Sequence, residues 1–522
     1  MATMKKGSVL VEYVTIVVLA AAVVCGGLAL QEARVVKAKQ DKLRHSKVVL
    51  YEGPKSLRDA TEEDLQNVNE EKRDFSLLHC TDTFVTVNGQ DCYVYDTNVN
   101  HTRSWFSNYL PPQSRTPVAY FDFEGAVDIQ VSVPNIELED VQISPLSYGI
   151  EPMVDADAHT VAFRIDTPDN YTIQFNHSPE RAVHIFANPL ETEEEIPNPD
   201  DPNVIYIGPG EWEMDSISLS KGQVLYLAGG SVVHSTVNAN FVSDVTVCGR
   251  GILDGSQYEG WKGRSAYVPL KFSHCNKAVV KDIIVLNSNA WVVEVYDSEN
   301  GVIDGLHIIS SRPNGDGISI QSCQNYIIDN CFVRTWDDSL VVKNYDTNSS
   351  DIIFRNTQVW TDLAQSMEIG FETNKGNHKD AAITNVVFEG ITVLNNFHKP
   401  VISVHNGDDA LLDGITFKDI TVEYEEVGSG DSDLPYLIDI SIVQNNNWST
   451  TTERGTIRNV TLDNVNFLAG NDKYSRVLGY DAAHKVEDVL FKNLTMFGTE
   501  AKTLEDAQIK VNEETVSHIE MQ

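Results

Sequence analysis

From about residue 270 the chain repeats a short pattern, in which two apolar strand segments meet at one polar or glycine residue. The copies are "VKDIIV" centred on Asp282, "IDGLHI" on Gly305, "IDNCFV" on Asn330, "FRNTQV" on Asn356, "FEGITV" on Gly390, "FKDITV" on Asp419, "LDNVNF" on Asn464 and "FKNLTM" on Asn493. Successive centres lie 23, 25, 26, 34, 29, 45 and 29 residues apart. Asp, Asn and Gly are the residues that accept a bend, and no long segment of helical period intervenes. Parallel strands ordinarily need a helical crossover. Without helices, a chain repeating in this way buries its apolar positions by stacking coil on coil. The pattern therefore predicts an all-β chain with a right-handed parallel β-helix over residues 200–500 and a tail over 501–522. A β-propeller or long sandwich would need antiparallel hairpin turns, which are scarce after residue 240. The longer intervals predict loop insertions near Asn374, Gly428 and Asn446, on the rim that holds the site.

A second strand family aligns within this frame: "WVVEVY" (residues 291–296), "DGISIQ" (316–321), "DSLVVK" (338–343), "SMEIGF" (366–371) and "PVISVH" (400–405). A period of two that turns Ile318, Ile320, Leu340, Val342, Met367, Ile369, Ile402 and Val404 inward sends Glu294, Ser319, Glu368 and Ser403 outward. Tyr296, Gln321, Lys343 and His405 form a second outward row. One face thus stacks polar side chains, with Asp316 on one coil and Asp337 and Asp338 on the next. Coils lie about 4.8 Å apart, which crowds three carboxylates together.

Upstream, residues 75–197 show short alternating runs separated by turn signals and predict a β-sandwich domain. "TFVTVNGQDCYVYD" carries an Asn88-Gly89 hairpin turn, and "HTVAFRIDTPDNYTIQFNH" pairs two strands across a Pro-Asp-Asn turn. Residues 31–73, polar and highly charged, read as a helical stalk and linker. Before them, residues 13–30 form an apolar run close to the minimum for a membrane span, so residues 1–30 are expected to form a hydrophobic signal or anchor helix. Gly7 followed by Glu12, with lysines before and an apolar helix after, resembles the processing signature of type IV and Flp-type prepilins. That resemblance implies pilin-like self-assembly through residues 8–30, and the plain alternative is an uncleaved membrane anchor. Six basic residues between Arg34 and Lys47 argue against export on the positive-inside rule. Export is nonetheless the expectation, with the protein extracellular or at the cell surface, anchored or secreted.

Composition narrows the partner. The 522 residues are 42% hydrophobic and 22% charged, an ordinary globular composition. A net charge of −37, from 39 basic and 76 acidic residues, repels nucleic acid and other polyanions and points to a neutral partner. Seven cysteines without C-x-x-C spacing suggest neither a zinc site nor a disulfide framework, and Cys80 with Cys92 is the one short-range disulfide candidate. No cofactor or metal is implied.

Like charges at such short range raise one another's proton affinity, placing a protonated acid beside an ionised base. Glycosidic hydrolysis needs that combination. A lone Asp-Gly, such as Asp304-Gly305, is an ordinary turn; Asp316-Gly317 stands apart because Asp337-Asp338 follows one coil later. "NGDGISI" (314–320) and "WDDSLVVK" (336–343) resemble the catalytic core of the clan that holds polygalacturonases (glycoside hydrolase family 28) and dextranases and isopullulanases (family 49). "LYLAGGSVVHS" (225–235), "GRGILDG" (249–255) and "VWTDLAQSMEIGFET" (359–373) extend the likeness, and "HIFANPLE" with "DPNVIYIGPG" resembles the sandwich-to-helix junction of family 49. The resemblance implies that Asp337 is the general acid and that Asp316 and Asp338 activate water in an inverting reaction. Polygalacturonases have Gly-His-Gly where this chain has Gln365 and Ser366, and Arg-x-Lys where Ser403 and His405 align. Losing those cations removes partners for a galacturonate carboxylate, so the resemblance leans to family 49 and a neutral α-glucan. Trp336 and Trp360 are candidate sugar platforms. Glu368 is a candidate substrate partner or a fourth charge that tunes the aspartates. Gln365, Glu294, Lys343 and His405 complete the candidate set, although Lys343 and His405 would serve equally to satisfy the carboxylates. A polygalacturonase-like pectin hydrolase and a non-catalytic glycan-binding adhesin are the alternatives. A polysaccharide lyase ranks below both.

Overall fold

The structure, a computed structural model, describes residues 46–61, 64, 77–99, 114–258, 267–288, 290–428 and 434–522. The hydrophobic helix of residues 1–30, with its prepilin-like reading, lies outside these residues, as does most of the stalk. Among the described residues no helix is long and apolar enough to cross a membrane. Within the expected helical stalk, Lys47–Leu50 instead forms a strand antiparallel to Ser114–Glu124. Its alternation explains the difference, since Val48 and Leu50 pack on the sandwich core while Lys47 and Val49 face solvent.

Two sheets, of seven and five strands, make the sandwich. Asn88 and Gly89, both at positive φ (50° and 74°), join Phe84–Val87 to Gln90–Cys92 in the expected hairpin. The second expected hairpin does not form. Thr160–Ile165 pairs with Val127–Ser132 in one sheet, and Asp169–Phe175 pairs with Ser178–Pro189 in the other. Both strands bury residues in the same core between the layers, Phe163 and Ile165 from one and Ile173 and Phe175 from the other. They face each other across that core instead of lying side by side. Cys80 and Cys92 are buried free thiols and form no disulfide; Cys80 Sγ points at Asp82 (3.2 Å) and Cys92 Sγ at the Tyr120 carbonyl (3.7 Å).

The rest is a parallel β-helix. Most coils give two strands to a 21-stranded sheet and one to an 11-stranded sheet, which runs from Ile217–Leu219 to Ile509–Val511. Residues 501–522 are not a tail, because Ile509–Val511 and Val516–Met521 extend both ladders. All eight centres of the sequence repeat adopt positive φ, between 50° and 65°, the left-handed bend that selects Asn, Asp and Gly. Four of them also bridge coils: the Asn330, Asn356, Asn464 and Asn493 amides donate to Asp304, Asp329, Asp419 and Asp463 at 3.0, 2.8, 2.6 and 3.0 Å. Inside, all eight residues expected to point inward belong to one apolar core. Phe354, Phe388 and Phe417 stack there at centroid spacings of 4.9 and 5.0 Å, each pair 4° from parallel.

The sandwich covers the larger sheet. Tyr95, Tyr120 and Phe186 share an apolar cluster with Ile252, Leu286, Phe332 and Trp360. Buried ion pairs anchor the contact: Arg250 spans Asp122 (3.0 Å) and Asp282 (2.7 Å), and Arg334 pairs with Asp362 (3.2 Å) and donates to His184 (3.0 Å). Those partners let the arginines lie in the interior. The outer face of the 11-stranded sheet is left for the site. The long insertions fall at both of its edges, those at Asn374 and Asn446 after strands and that at Gly428 before one.

Replacing Phe388 with Ala removes the middle of the three-ring stack. A thermal or urea melt is expected to show a loss of about 3–5 kcal/mol; a loss under 1 kcal/mol would mean that the stack does not hold the coils.

Candidate active site

Three consecutive strands of the 11-stranded sheet, Ile318–Gln321, Leu340–Lys343 and Met367–Ile369, set the frame. Asp316 stands two residues before the first, and Asp337 and Asp338 stand just before the second. The Gly317 N–H donates to the Asp338 carbonyl (2.8 Å), so the two turns are locked side by side. Gly317 fits closely there: a Cβ would lie 2.5 Å from the Ser339 carbonyl oxygen and 2.6 Å from Val333. The expected register holds, with Ser319, Val341, Glu368 and Ser403 in one outward row and Tyr296, Gln321 and Lys343 in the other.

Each carboxylate has its own surroundings. Asp316 is buried, and its Oδ2 accepts from the Lys343 ammonium at 3.3 Å. Asp337, half-buried, accepts from the backbone N–H of Asn314 (2.9 Å) and of Asp338 (3.1 Å). Asp338, also half-buried, accepts from the Gln365 N–H at 3.0 Å. Burial, helped by Asp337 and Glu372, pushes the Asp316 carboxyl up to about 7 against the pull of Lys343. Burial and the neighbouring Asp337, Asp316 and Glu368 push Asp338 well above the usual carboxylate range. The group titrates as a unit, and at neutral pH it keeps a proton that isolated aspartates would have lost.

The other expected residues divide. Lys343 is drawn into the cluster between Asp316 and Glu372 (3.4 Å). Burial opposes its charge, but the two carboxylates hold the ammonium above its ordinary value. Glu368 is fully buried and pairs with His405 (2.9 Å), whose other nitrogen meets Asp439 (2.9 Å), which Arg476 in turn clamps (2.7 Å). Despite the opposing effect of burial, Glu368 and Asp439 raise His405 to about 10. Glu368 therefore acts on the aspartates as a charge and is not open to substrate. Gln365 contributes its backbone N–H from a buried position. Glu294 lies three ladder steps from Glu368, about 14 Å, and pairs with Lys271 (3.1 Å). Trp336 and Trp360 are not platforms, being 1% and 0% exposed. Trp360 packs under the sandwich with the Arg334 guanidinium 4.3 Å from its ring centre.

Several site residues escape the sequence reading. Glu372 completes the Lys343 bridge, and Trp291, half-buried, has its ring 5.9 Å from the Lys343 ammonium. Tyr258 and Tyr267 stack at 4.5 Å near the same edge, and the Tyr258 carbonyl accepts from Arg312 (2.7 Å). Trp291 opens the quoted segment "WVVEVY", so its place beside the aspartate turns was within reach of the strand alignment. The Glu372 pairing carries no comparable local signal.

The carboxylates thus cluster at one edge of the 11-stranded sheet of a parallel β-helix. The chain belongs to the glycosyl hydrolases family 28, whose model matches residues 229–518. It is similar to a probable polygalacturonase of Vitis vinifera (25% identical over 173 residues, 30% of this chain and 34% of that protein). It is also similar to an endo-polygalacturonase of Sclerotinia sclerotiorum (24% over 237 residues, 43% and 58%). The chain spans only 25% to 39% of the length of four such plant relatives. Among solved structures, Dex49A from Penicillium minioluteum superposes with a TM-score of 0.66 at 13% identity, covering 91% of this chain and 98% of that one. Family membership thus falls to family 28, whereas the sandwich-plus-helix layout is shared with Dex49A.

Replacing His405 with Gln leaves Glu368 buried without its cation and Asp439 with Arg476 alone, a loss of about 3–5 kcal/mol. The folded imidazole is raised above its free value, so its contribution is complete below about pH 6.5 and fades as pH climbs towards 10. The melting gap between parent and variant should be widest near pH 6 and narrow by pH 10. A gap that widens with pH would contradict the ion-pair assignment.

Proposed function

We propose that the protein is an extracellular polysaccharide hydrolase that cleaves a neutral glycan of the α-glucan type with inversion. Asp337 protonates the leaving oxygen, and Asp316 and Asp338 activate the attacking water. The raised groups are Asp316 and Asp338, so the acid role of Asp337 rests on the family resemblance, and the proton the group retains must pass to Asp337 before Asp316 and Asp338 activate water. The shared backbone bond of the two turns keeps the carboxylates in one arrangement while substrate binds.

The observation that carries the substrate class is the state of the cations on this face. Lys271, Lys343, Lys375 and Arg476 are each engaged by a carboxylate of the same face. His405, aligned with the lysine of the Arg-x-Lys pair, is sealed between two acids, and Ser403 stands in place of the arginine. A galacturonate carboxylate would meet paired cations amid uncompensated acids, whereas an uncharged sugar meets hydrogen-bond acceptors and ring faces. A second reading, a polygalacturonase-like pectin hydrolase, is favoured by the polygalacturonases among the relatives.

Reducing-sugar release from dextran, pullulan and polygalacturonate, by the parent and by Asp337→Asn, separates the two readings. The expected outcome is release from a neutral glycan that falls about 10²–10⁴-fold in the variant. Release from polygalacturonate alone would establish the second reading. Glycan retention without release by either protein would replace both with an adhesin.

A further inference from the structure

One edge of the site face carries a run of rings that the aspartate chemistry does not use. Phe241 is 73% exposed, more than any other large apolar side chain among the described residues. It stacks on His274 at 4.2 Å and 12°; His274 meets Tyr296 edge-on at 5.4 Å, and Tyr296 meets Tyr345 at 6.1 Å. The Lys375 ammonium then sits 5.8 Å from the Tyr345 ring and 5.9 Å from that of Trp448, which is 37% exposed. The run is held rigidly. His274 pairs with Asp297 (2.7 Å), the Tyr296 hydroxyl with Asp346, and Asp408 fixes the Trp448 loop through the N–H groups of Thr450 (2.7 Å) and Thr451 (2.8 Å).

Its position ties it to the aspartates. Phe241 follows the strand three ladder steps before that of Asp316, and Lys375 follows the strand one step beyond that of Asp338. Tyr345, two residues beyond Lys343, feels the charges of Lys343, Glu372 and Asp316. The rings therefore run along the edge where these strands end, across the sheet from the aspartates at the edge where they begin, and continue past them on both sides. Rings spaced over several coils, inclined 12°, 78° and 53° from one to the next, offer separate stacking surfaces to the repeating C–H faces of a polymer of uncharged sugars. A charged polymer would gain little from them, since the one cation in the run is already paired with Glu372.

We propose that this ribbon is a rail for a neutral glycan that extends past the aspartates in both directions, so that cleavage falls within the chain and not at its end. The proposal rests on the hydrolase reading above and adds to it the mode of action and the residues that hold the polymer.

The test uses the full chain carrying Asp337→Asn, run by affinity electrophoresis in gels containing dextran, pullulan or polygalacturonate, with and without Phe241→Asn and Trp448→Ala. Asn suits position 241 because the backbone there is left-handed (φ 54°). The rail predicts retardation by a neutral glycan and an affinity about tenfold weaker in the doubly substituted form. In the active enzyme it predicts a steep early fall in viscosity per bond cut, made shallower by the ring substitutions. Unchanged retardation on losing both rings, retention by polygalacturonate alone, or no retention by any gel would overturn the rail. Hydrolysis of a neutral glycan in those cases would leave the hydrolase reading standing, whereas absence of hydrolysis on every glycan would remove that reading separately.

Discussion

Coil joins coil through backbone hydrogen bonds that run along the helix axis, and everything at the site follows from that one constraint. A parallel ladder fixes successive strands at a spacing smaller than most side chains, so whatever residue stands at one position is pressed against its counterparts on the coils before and after. Where the counterparts are Phe354, Phe388 and Phe417, the result is a stacked core. Where they are Asp316 and the pair Asp337 and Asp338, the result is a cluster of acids that cannot separate. The left-handed bends at Asp282, Gly305, Asn330 and their successors make the ladder possible, because each coil must turn sharply without a helix to carry it.

The cost of crowding acids is offset locally. Lys343 lies between Asp316 and Glu372, backbone N–H groups point at Asp337 and Asp338, and the next charge outward, Glu368, is paired with His405. The balance is incomplete, and that incompleteness is chemically useful: Asp316 stays near 7 and Asp338 well above the usual range, so protonated and ionised carboxyls coexist at neutral pH. The sandwich contributes indirectly. It packs Phe186, Tyr120 and their neighbours on the larger sheet and so docks away from the 11-stranded sheet that carries the aspartates.

What the sequence reveals and what it hides divide along a physical line. Features selected by local backbone geometry are legible. The eight bend centres need residues that accept positive φ, the Asn88-Gly89 turn needs two, and strand alternation separates Ile318 and Ile320 from Ser319. Asp316, Asp337 and Asp338 come together because the repeat fixes which residues share an edge. Features set by contacts distant in sequence are not legible. Trp360 has the composition of a sugar platform, and only the docked sandwich shows that it is buried. Thr160–Ile165 and Asp169–Phe175 look like a hairpin because they are adjacent in sequence, yet the inter-sheet core assigns them to different layers. Glu368 reads equally as a substrate partner or a charge that tunes the aspartates, and only His405 and Asp439, 37 and 71 residues further on, close around it and leave the second.

The central claim is that these three aspartates, forced together by the ladder, hydrolyse a glycosidic bond by direct attack of water. Proton NMR of the first hemiacetal released from a neutral α-glucan, recorded before mutarotation, tests it most directly. The account predicts that the new anomeric centre has the β configuration, opposite to that of the bond cut. A first product of retained α configuration would require a covalent intermediate and contradict it.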